Sequence, residues 1–478
     1  MSSSTWQVLA PVLHVVLATG GSSHIVLTKV DVRSATGWVG LVWLTPVLGS
    51  ILYFFLGINR IRRAARRVRE ARDSHTAERR ALRQGTEQHD ASLVPAAYRG
   101  LAHLGGRVTA EPLTEGNRVE PLLDGDQAYP AMLAAIEGAQ HSVGFATYIF
   151  DHGKAGLRFV EALAAAARRG VSVRVLIDSV GSRYSRPSIV GELRERGVRV
   201  ALFLPSPFPF SHPYFNMRNH RKLLVIDGAT GFTGGINVRD GCLLADNPRH
   251  PTRDIHFRVQ GPVVRHLVDA FVFDWRYTTR EVLDGPAWFV PLGRMGDVVA
   301  RGIADGPDET HDSLPLVLQG ALATARESVH VVTPYFLPEK PLLDALRVTA
   351  LRGVDVRVYV PAVGNLRLVN WAMQAQFARV VQGGVKVALT RAPFDHSKLM
   401  VVDGAWSLVG SANWDPRSLR LNFEYVLECW SESLARDLLD VITEKAEGAH
   451  YVTRAELAAR PLFTRIRDGV AWLGQPYL

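Results

Sequence analysis

Cysteine is almost missing from this chain. Only Cys242 and Cys429 occur, and neither belongs to a closely spaced Cys/His cluster. That excludes a disulfide framework and a thiolate zinc site, and it is the usage of a reducing compartment. The first residues, MSSSTWQVLAPVL, hold no Lys or Arg, so the basic n-region of a cleaved signal peptide is lacking. Charge is absent from Trp38 to Gly57, about twenty residues, the length of helix that crosses a bilayer core roughly 30 Å thick.

That charge-free segment is the sharper of two expected membrane spans. Pro46 and Gly49 suit a membrane helix better than a soluble one, and Trp38 stands where an interfacial anchor belongs. An earlier apolar run, Trp6 to Leu27, is long enough for a second span but is diluted by His14, Gly20-Gly21-Ser22-Ser23 and His24. Seven arginines (60, 62, 63, 66, 67, 69 and 72) follow the later span, whereas the connection between the two holds only Lys29 and Arg33. The positive-inside bias therefore predicts a multi-pass protein of the cell membrane with everything beyond Arg60 on the cytoplasmic side. The same arginines could grip anionic headgroups.

What remains is a large folded body. At 478 residues, with 47% hydrophobic and 21% charged, the chain is neither disordered nor membrane-embedded throughout, and it exceeds one ordinary core. A net charge of +9 favours an anionic partner. An internal repeat divides the body. Ala131–Phe150, a helix and then a buried strand, precedes a helix at Phe159–Gly170 and a strand at Val171–Asp178. The same order recurs in Leu316–Phe336, Leu342–Gly353 and Val354–Pro361. Strands alternating with helices imply an α/β fold in each half. The expected divisions are residues 1–60 (two spans), 61–107 (a basic, polar linker), 108–285 and 286–478.

The repeat carries its chemistry in HRKLLVIDGATGFTGGIN and HSKLMVVDGAWSLVGSAN. Measured from His220 and His396, Lys222, Asp227 and Asn237 recur at the offsets of Lys398, Asp403 and Asn413. Alternate residues of a strand share a face, so each His points with its Lys. Asp-Gly then makes a tight turn, and the return strand brings the Asn back. An imidazole, a cation and an amide suit a phosphodiester: His attacks phosphorus or moves a proton, while Lys and Asn stabilise oxygen charge. A lysine beside each histidine disfavours a divalent metal, and neither metal nor other cofactor is expected. Asp227 and Asp403 fit a turn-holding role as well as a chemical one.

These two segments resemble the paired HxKxxxxD motifs of the phospholipase D superfamily. The segments NMRNHRKLLVIDG, RDIHFRVQGPVV and RSLRLNFEYVLE resemble bacterial cardiolipin synthases in particular. The resemblance implies two similar phospholipase D-type half-domains with pseudo-twofold symmetry, one shared active centre, and an N-terminal transmembrane hairpin. It also implies reversible phosphatidyl transfer between two phosphatidylglycerol molecules, giving cardiolipin and glycerol through a phosphohistidine. His220 is then the nucleophile and His396 the acid/base, and Asp254 and Glu424 orient the histidines. Phosphatidylglycerol and other anionic phospholipids are the expected partners, with no nucleic acid. Hydrolysis to phosphatidic acid is the alternative within the family; a nuclease is disfavoured by the membrane spans. Asp395, Asn365 and Gly241-Cys242 depart from the family pattern and bear on the acceptor pocket. The aromatic, Pro-rich stretch Phe203–Phe215 is a candidate for lipid contact.

Overall fold

The computed structural model describes residues 3–29, 31–45, 47–57, 91–109, 111–205, 217–307 and 313–475. It divides into two compact units, 1–64 and 65–478. In the first, helix α1 (Ser3–Thr28) runs unbroken through the Gly-Ser patch, and α2 (Val32–Leu44) turns back along it. Small residues allow the approach: a Cβ on Gly21 would meet the Val42 side chain at 3.4 Å. Trp43 Nε1 donates to Ser22 Oγ at 2.9 Å, and His24 Nδ1 lies 2.7 Å from the Tyr53 hydroxyl.

Here the order of the two expected spans reverses. Leu9–Thr28 is the one described helix long and apolar enough to cross a membrane. Trp38–Gly57 is not a continuous α-helix. α2 stops at Leu44, Thr45 is extended, and a short α3 (Leu48–Leu52) leads into a π-turn at Tyr53–Gly57. The cause is local, because a residue before proline is driven out of helical geometry and proline offers no donor to the turn before it. The arginines between 60 and 72 and most of Phe203–Phe215 lie outside the described residues.

Among the described residues of the second unit seventeen strands form: β1 (Thr114–Leu123), β2 (Ser142–Thr147), β3 (Ser172–Asp178), β4 (Arg199–Phe203), β5 (Leu223–Ile226), β6 (Thr230–Gly234), β7 (Thr252–Arg253), β8 (Ile255–Gln260), β9 (Val298–Asp305), β10 (Ser328–Val332), β11 (Asp355–Pro361), β12 (Lys386–Thr390), β13 (Phe394–Asp395), β14 (Leu399–Val402), β15 (Trp406–Gly410), β16 (Glu424–Trp430) and β17 (His450–Tyr451). Fifteen of them make one sheet, in the order β17-β12-β11-β10-β14-β15-β16-β9-β1-β8-β6-β5-β2-β3-β4. Outward from the antiparallel β1/β9 pair the next six strands on each side follow the same order of strand types, which is the pseudo-twofold relation, and β17 extends one edge by a further strand. β2, β5, β14 and β15 are buried along their whole lengths, as strands covered by helices on both faces are.

Each half has its own apolar core. Phe145, Phe159, Val175, Leu224 and Phe232 centre the first, and Val331, Leu346, Val358, Phe377 and Trp406 the second. Each such side chain contributes roughly 1.5–3 kcal/mol by leaving water. The linker expected over 61–107 is in its last part a piece of this fold. The helix Arg99–Thr109 and the turns before it bury Val94, Tyr98, Leu101 and Ala102 in the second core.

Between the halves a buried cation acts as a stitch. Arg221 pairs with Asp274 at 2.6 Å and donates to the carbonyls of Glu424 (3.0 Å) and Asp305 (2.8 Å).

Candidate active site

His220 and Lys222 lead into β5, and His396 and Lys398 into β14. The residues before each histidine pair with the opposite half. The His220 amide donates to Phe423 O at 2.9 Å and the Phe423 amide to Arg218 O at 2.8 Å. In the other copy β13 pairs in parallel with β7, and the His396 amide donates to Arg253 O at 2.7 Å. The residue after each borrowed partner is acidic: Glu424 follows Phe423, and Asp254 follows Arg253. Each carboxylate is thereby delivered to the histidine of the other half.

The contacts are close. Nδ1 of His220 lies 3.0 Å from both carboxylate oxygens of Glu424, and Nδ1 of His396 lies 2.8 Å from Oδ2 of Asp254. A carboxylate at Nδ1 places that ring proton and leaves Nε2 as the reacting nitrogen. Glu424 is held in turn by the Ser411 hydroxyl at 2.5 Å and the Asn422 amide at 3.3 Å. Asp254 has no serine counterpart, because Gly235 stands in the place of Ser411. A Cβ there would come within 2.1 Å of Asp254 Oδ1. The shorter acid needs the bare backbone, whereas the longer one leaves room for a hydroxyl.

Both histidines line one cavity of about 430 Å3, together with Asn237, Asn413 and Asp254. Tyr148 stands edge-on to His220 at 5.1 Å between ring centres, and Tyr335 to His396 at 6.3 Å. Lys222 and Lys398 are buried and are not among the residues that line the cavity. Lys222 Nζ donates to its own motif's His220 carbonyl at 2.6 Å, and Lys398 does the same to His396.

Burial governs the charge states. It lowers the Lys222 ammonium to about 7, against the pull of Glu424, and the Lys398 ammonium to about 8, against that of Asp254. Burial and then Lys398 bring the His396 imidazolium down to about 4 although Asp254 opposes them. His220 is lowered by burial too, with Glu424 opposing. Burial acts to raise Glu424, but the His220 imidazole, Lys222 and the Ser411 hydroxyl outweigh it and keep the carboxyl below its ordinary value. Burial thus disfavours positive charge on these groups, and an anionic group beside them favours it.

The remaining expected residues divide. Asn237 Oδ1 accepts from the Ile149 amide at 3.0 Å, and Asn413 Nδ2 donates to Ser418 Oγ at 3.2 Å. Oδ1 of Asn413 is buried with no partner among the described residues. Asp227 and Asp403 are not brought to the cavity. Each sits at a positive φ in its Asp-Gly turn. Asp227 accepts the amides of Gln140, His141 and Ser142 at 2.7–2.9 Å. Asp403 accepts those of Arg326, Glu327 and Ser328, the nearest contacts being 2.8–2.9 Å. Of the departures from the family pattern, Asp395 is buried against Lys445 at 2.8 Å, Asn365 accepts from the Tyr335 hydroxyl at 2.8 Å, and Cys242 lines the cavity. Among the described residues no group of three or more His, Cys, Asp or Glu side chains gathers as a metal site.

Sequence reasoning missed Arg218, Arg239, Asp415 and Arg417, which also line the cavity. Alternate-residue spacing could have found three of them: Arg218 lies two before His220, and Arg239 and Asp415 lie two after the asparagines. Burial raises Asp415 to about 6, against the Ser418 amide. Arg417 has no such signal, for it reaches the cavity from a helix, Pro416–Arg420.

Comparison with known proteins agrees with this geometry. Residues 132–247 and 318–445, one segment in each half, match the family described as "Cardiolipin synthase, PLD-like domain". The chain is 32% identical over 444 residues to a cardiolipin synthase of Geobacillus thermodenitrificans, covering 92% of this chain and 88% of that one. It is 33% identical over 466 residues to cardiolipin synthase A of Pseudomonas fluorescens, covering 97% and 96%. A phosphatidylserine synthase structure from Haemophilus influenzae superimposes with a TM-score of 0.62 at 14% identity, over 79% of this chain and 100% of that one, a likeness of fold. A sheet duplicated about β1/β9, two histidine motifs on one cavity and relatives matched along nearly their full length place this chain in the cardiolipin synthase family of phospholipase D-like proteins.

Proposed function

We propose that the chain is a phosphatidyltransferase that joins two phosphatidylglycerol molecules into cardiolipin and releases glycerol. The observation that carries the reading is the crossed pairing, which turns both histidines into one cavity and gives each a carboxylate at Nδ1. Nε2 of His220 attacks the phosphorus, and the bond to the glycerol oxygen breaks. His396 gives that oxygen a proton and glycerol leaves. His396 then takes the proton from the free hydroxyl of a second phosphatidylglycerol, whose oxygen displaces His220 from phosphorus. His220 is assigned as nucleophile because Glu424, held by Ser411 and Asn422, meets it through both oxygens and can balance the cationic phosphohistidine.

Around this step Lys222, Lys398, Asn237 and Asn413 stabilise charge on the non-bridging oxygens. Asp227 and Asp403 hold the turns that set the motif strands. The anionic phosphate returns protons to the lysines and to His396, so the acid is charged when substrate is present. A cavity of about 430 Å3 takes headgroups and leaves acyl chains in the bilayer.

The N-terminal unit anchors the enzyme in the membrane, with two passes and the catalytic unit on the cytoplasmic side. The polar bonds of His24 and Trp43 between its helices are of the kind that join helices in lipid. Incubating the purified chain with phosphatidylglycerol vesicles tests the reaction: cardiolipin with an equal amount of glycerol supports it, and phosphatidic acid alone refutes it in favour of hydrolysis.

A further inference from the structure

The last described helix, Leu462–Leu473, is turned inside out. Its one acid, Asp468, is fully buried and bound by Arg460 and Arg467. Apart from Trp472, its large apolar residues face outward: Leu462 is 69% exposed, Phe463 80%, Ile466 55%, Val470 63% and Leu473 71%. At 3.6 residues per turn these five fall within an arc of about 100°, a single stripe. Arg465, exposed, borders the stripe on one side, and Arg467 borders it on the other.

The helix is fixed in place. Arg467 lies over the Trp371 ring at 4.6 Å and Arg379 over Trp472 at 4.2 Å, both joining it to the helix Arg367–Gln382. That second helix begins at the cavity: Leu366 and Val369 line it, and Leu366 and Leu368 are themselves half exposed. A rigid apolar stripe, flanked by arginines, free of exposed acid and joined to the rim of a phosphate-handling cavity, has the features of a helix lying in a lipid–water interface.

We infer that the helix Leu462–Leu473 is a second membrane-docking element, which lays its stripe into an anionic lipid surface and steadies the cavity rim against it. This rests on no particular reaction, so it can fail while the transferase reading stands.

The test uses the full chain in vesicles of phosphatidylcholine and phosphatidylglycerol, with Phe463→Cys, Val470→Cys or Asp440→Cys carrying an environment-sensitive fluorophore. Both native cysteines are buried, and Asp440 is an exposed control on another helix. Labels at 463 and 470 are expected to be quenched several-fold more by bromine-bearing lipid than the label at 440, and to be shielded from aqueous iodide. Quenching by iodide instead overturns the proposal. Protection from both quenchers also overturns it, because the stripe is then covered by protein, whether a second copy or the N-terminal helices.

Discussion

Glu424 serves a histidine that is not in its own half: its two carboxylate oxygens lie 3.0 Å from Nδ1 of His220, across 204 residues of chain. Asp254 returns the relation to His396 at 2.8 Å. Neither motif histidine takes its orienting acid from its own half, so a single competent centre requires both.

Replacing the acid without changing its shape is the direct probe. Glu424→Gln keeps the packing but removes the charge that balances a cationic ring. Cardiolipin formation should fall by roughly 10^3-fold or more, by analogy with carboxylates that orient catalytic histidines, with an unchanged melting profile. A loss under tenfold counts against the role.

The glycine opposite the other acid gives a steric test. Gly235→Ala puts a methyl carbon where only 2.1 Å separates it from Asp254 Oδ1, so Asp254 must move off His396. Activity should drop by about 10- to 100-fold, the worth of a hydrogen bond to a charged group. Ser411→Gly on the equivalent position removes a support of Glu424 and an acceptor of the Tyr425 amide but leaves Glu424 on His220, and should cost less.

Asp227 separates turn-holding from chemistry. Asp227→Ala leaves three backbone amides without their acceptor. Stability should fall by about 1–3 kcal/mol in denaturant titration, while kcat of the protein that remains folded stays near that of the parent. A kcat loss as large as that of His220→Ala would place the carboxylate in the reaction instead.

The lysines predict a pH profile. Burial lowers Lys222 to about 7 and Lys398 to about 8, so raising the pH discharges them, and an anionic phosphate must draw protons back as it binds. kcat/KM for phosphatidylglycerol should decline as pH rises through this window, mainly through KM. Lys222→Arg, which stays charged, should flatten the decline whatever its effect on the maximum. A parent profile that is flat from about pH 6 to about pH 9 contradicts this electrostatic account.

How much of this was legible beforehand follows from the range of each interaction. The pairs His220/Lys222 and His396/Lys398, the Asp-Gly turns and the four helix–strand repeats are written in spacings of two to about fifteen residues, where strand and helix periods act directly. Their identical offsets made the duplication readable from one sequence, and the two acids became readable through the likeness of those motifs to a known family. The broken second span was open to local reading through Pro46, but the composition of Trp38–Gly57 outweighed it.

By itself the sequence determined the α/β halves, the residues of both motifs and the apolar N-terminus, since each depends on neighbours along the chain. Only the tertiary structure decided that Glu424 belongs to His220 and Asp254 to His396, that Arg417 reaches the cavity, and that the stripe of Leu462–Leu473 faces outward. Those depend on how β1 meets β9 and on which surface each helix spends against the core, relations between residues roughly a hundred to two hundred positions apart that no local period encodes.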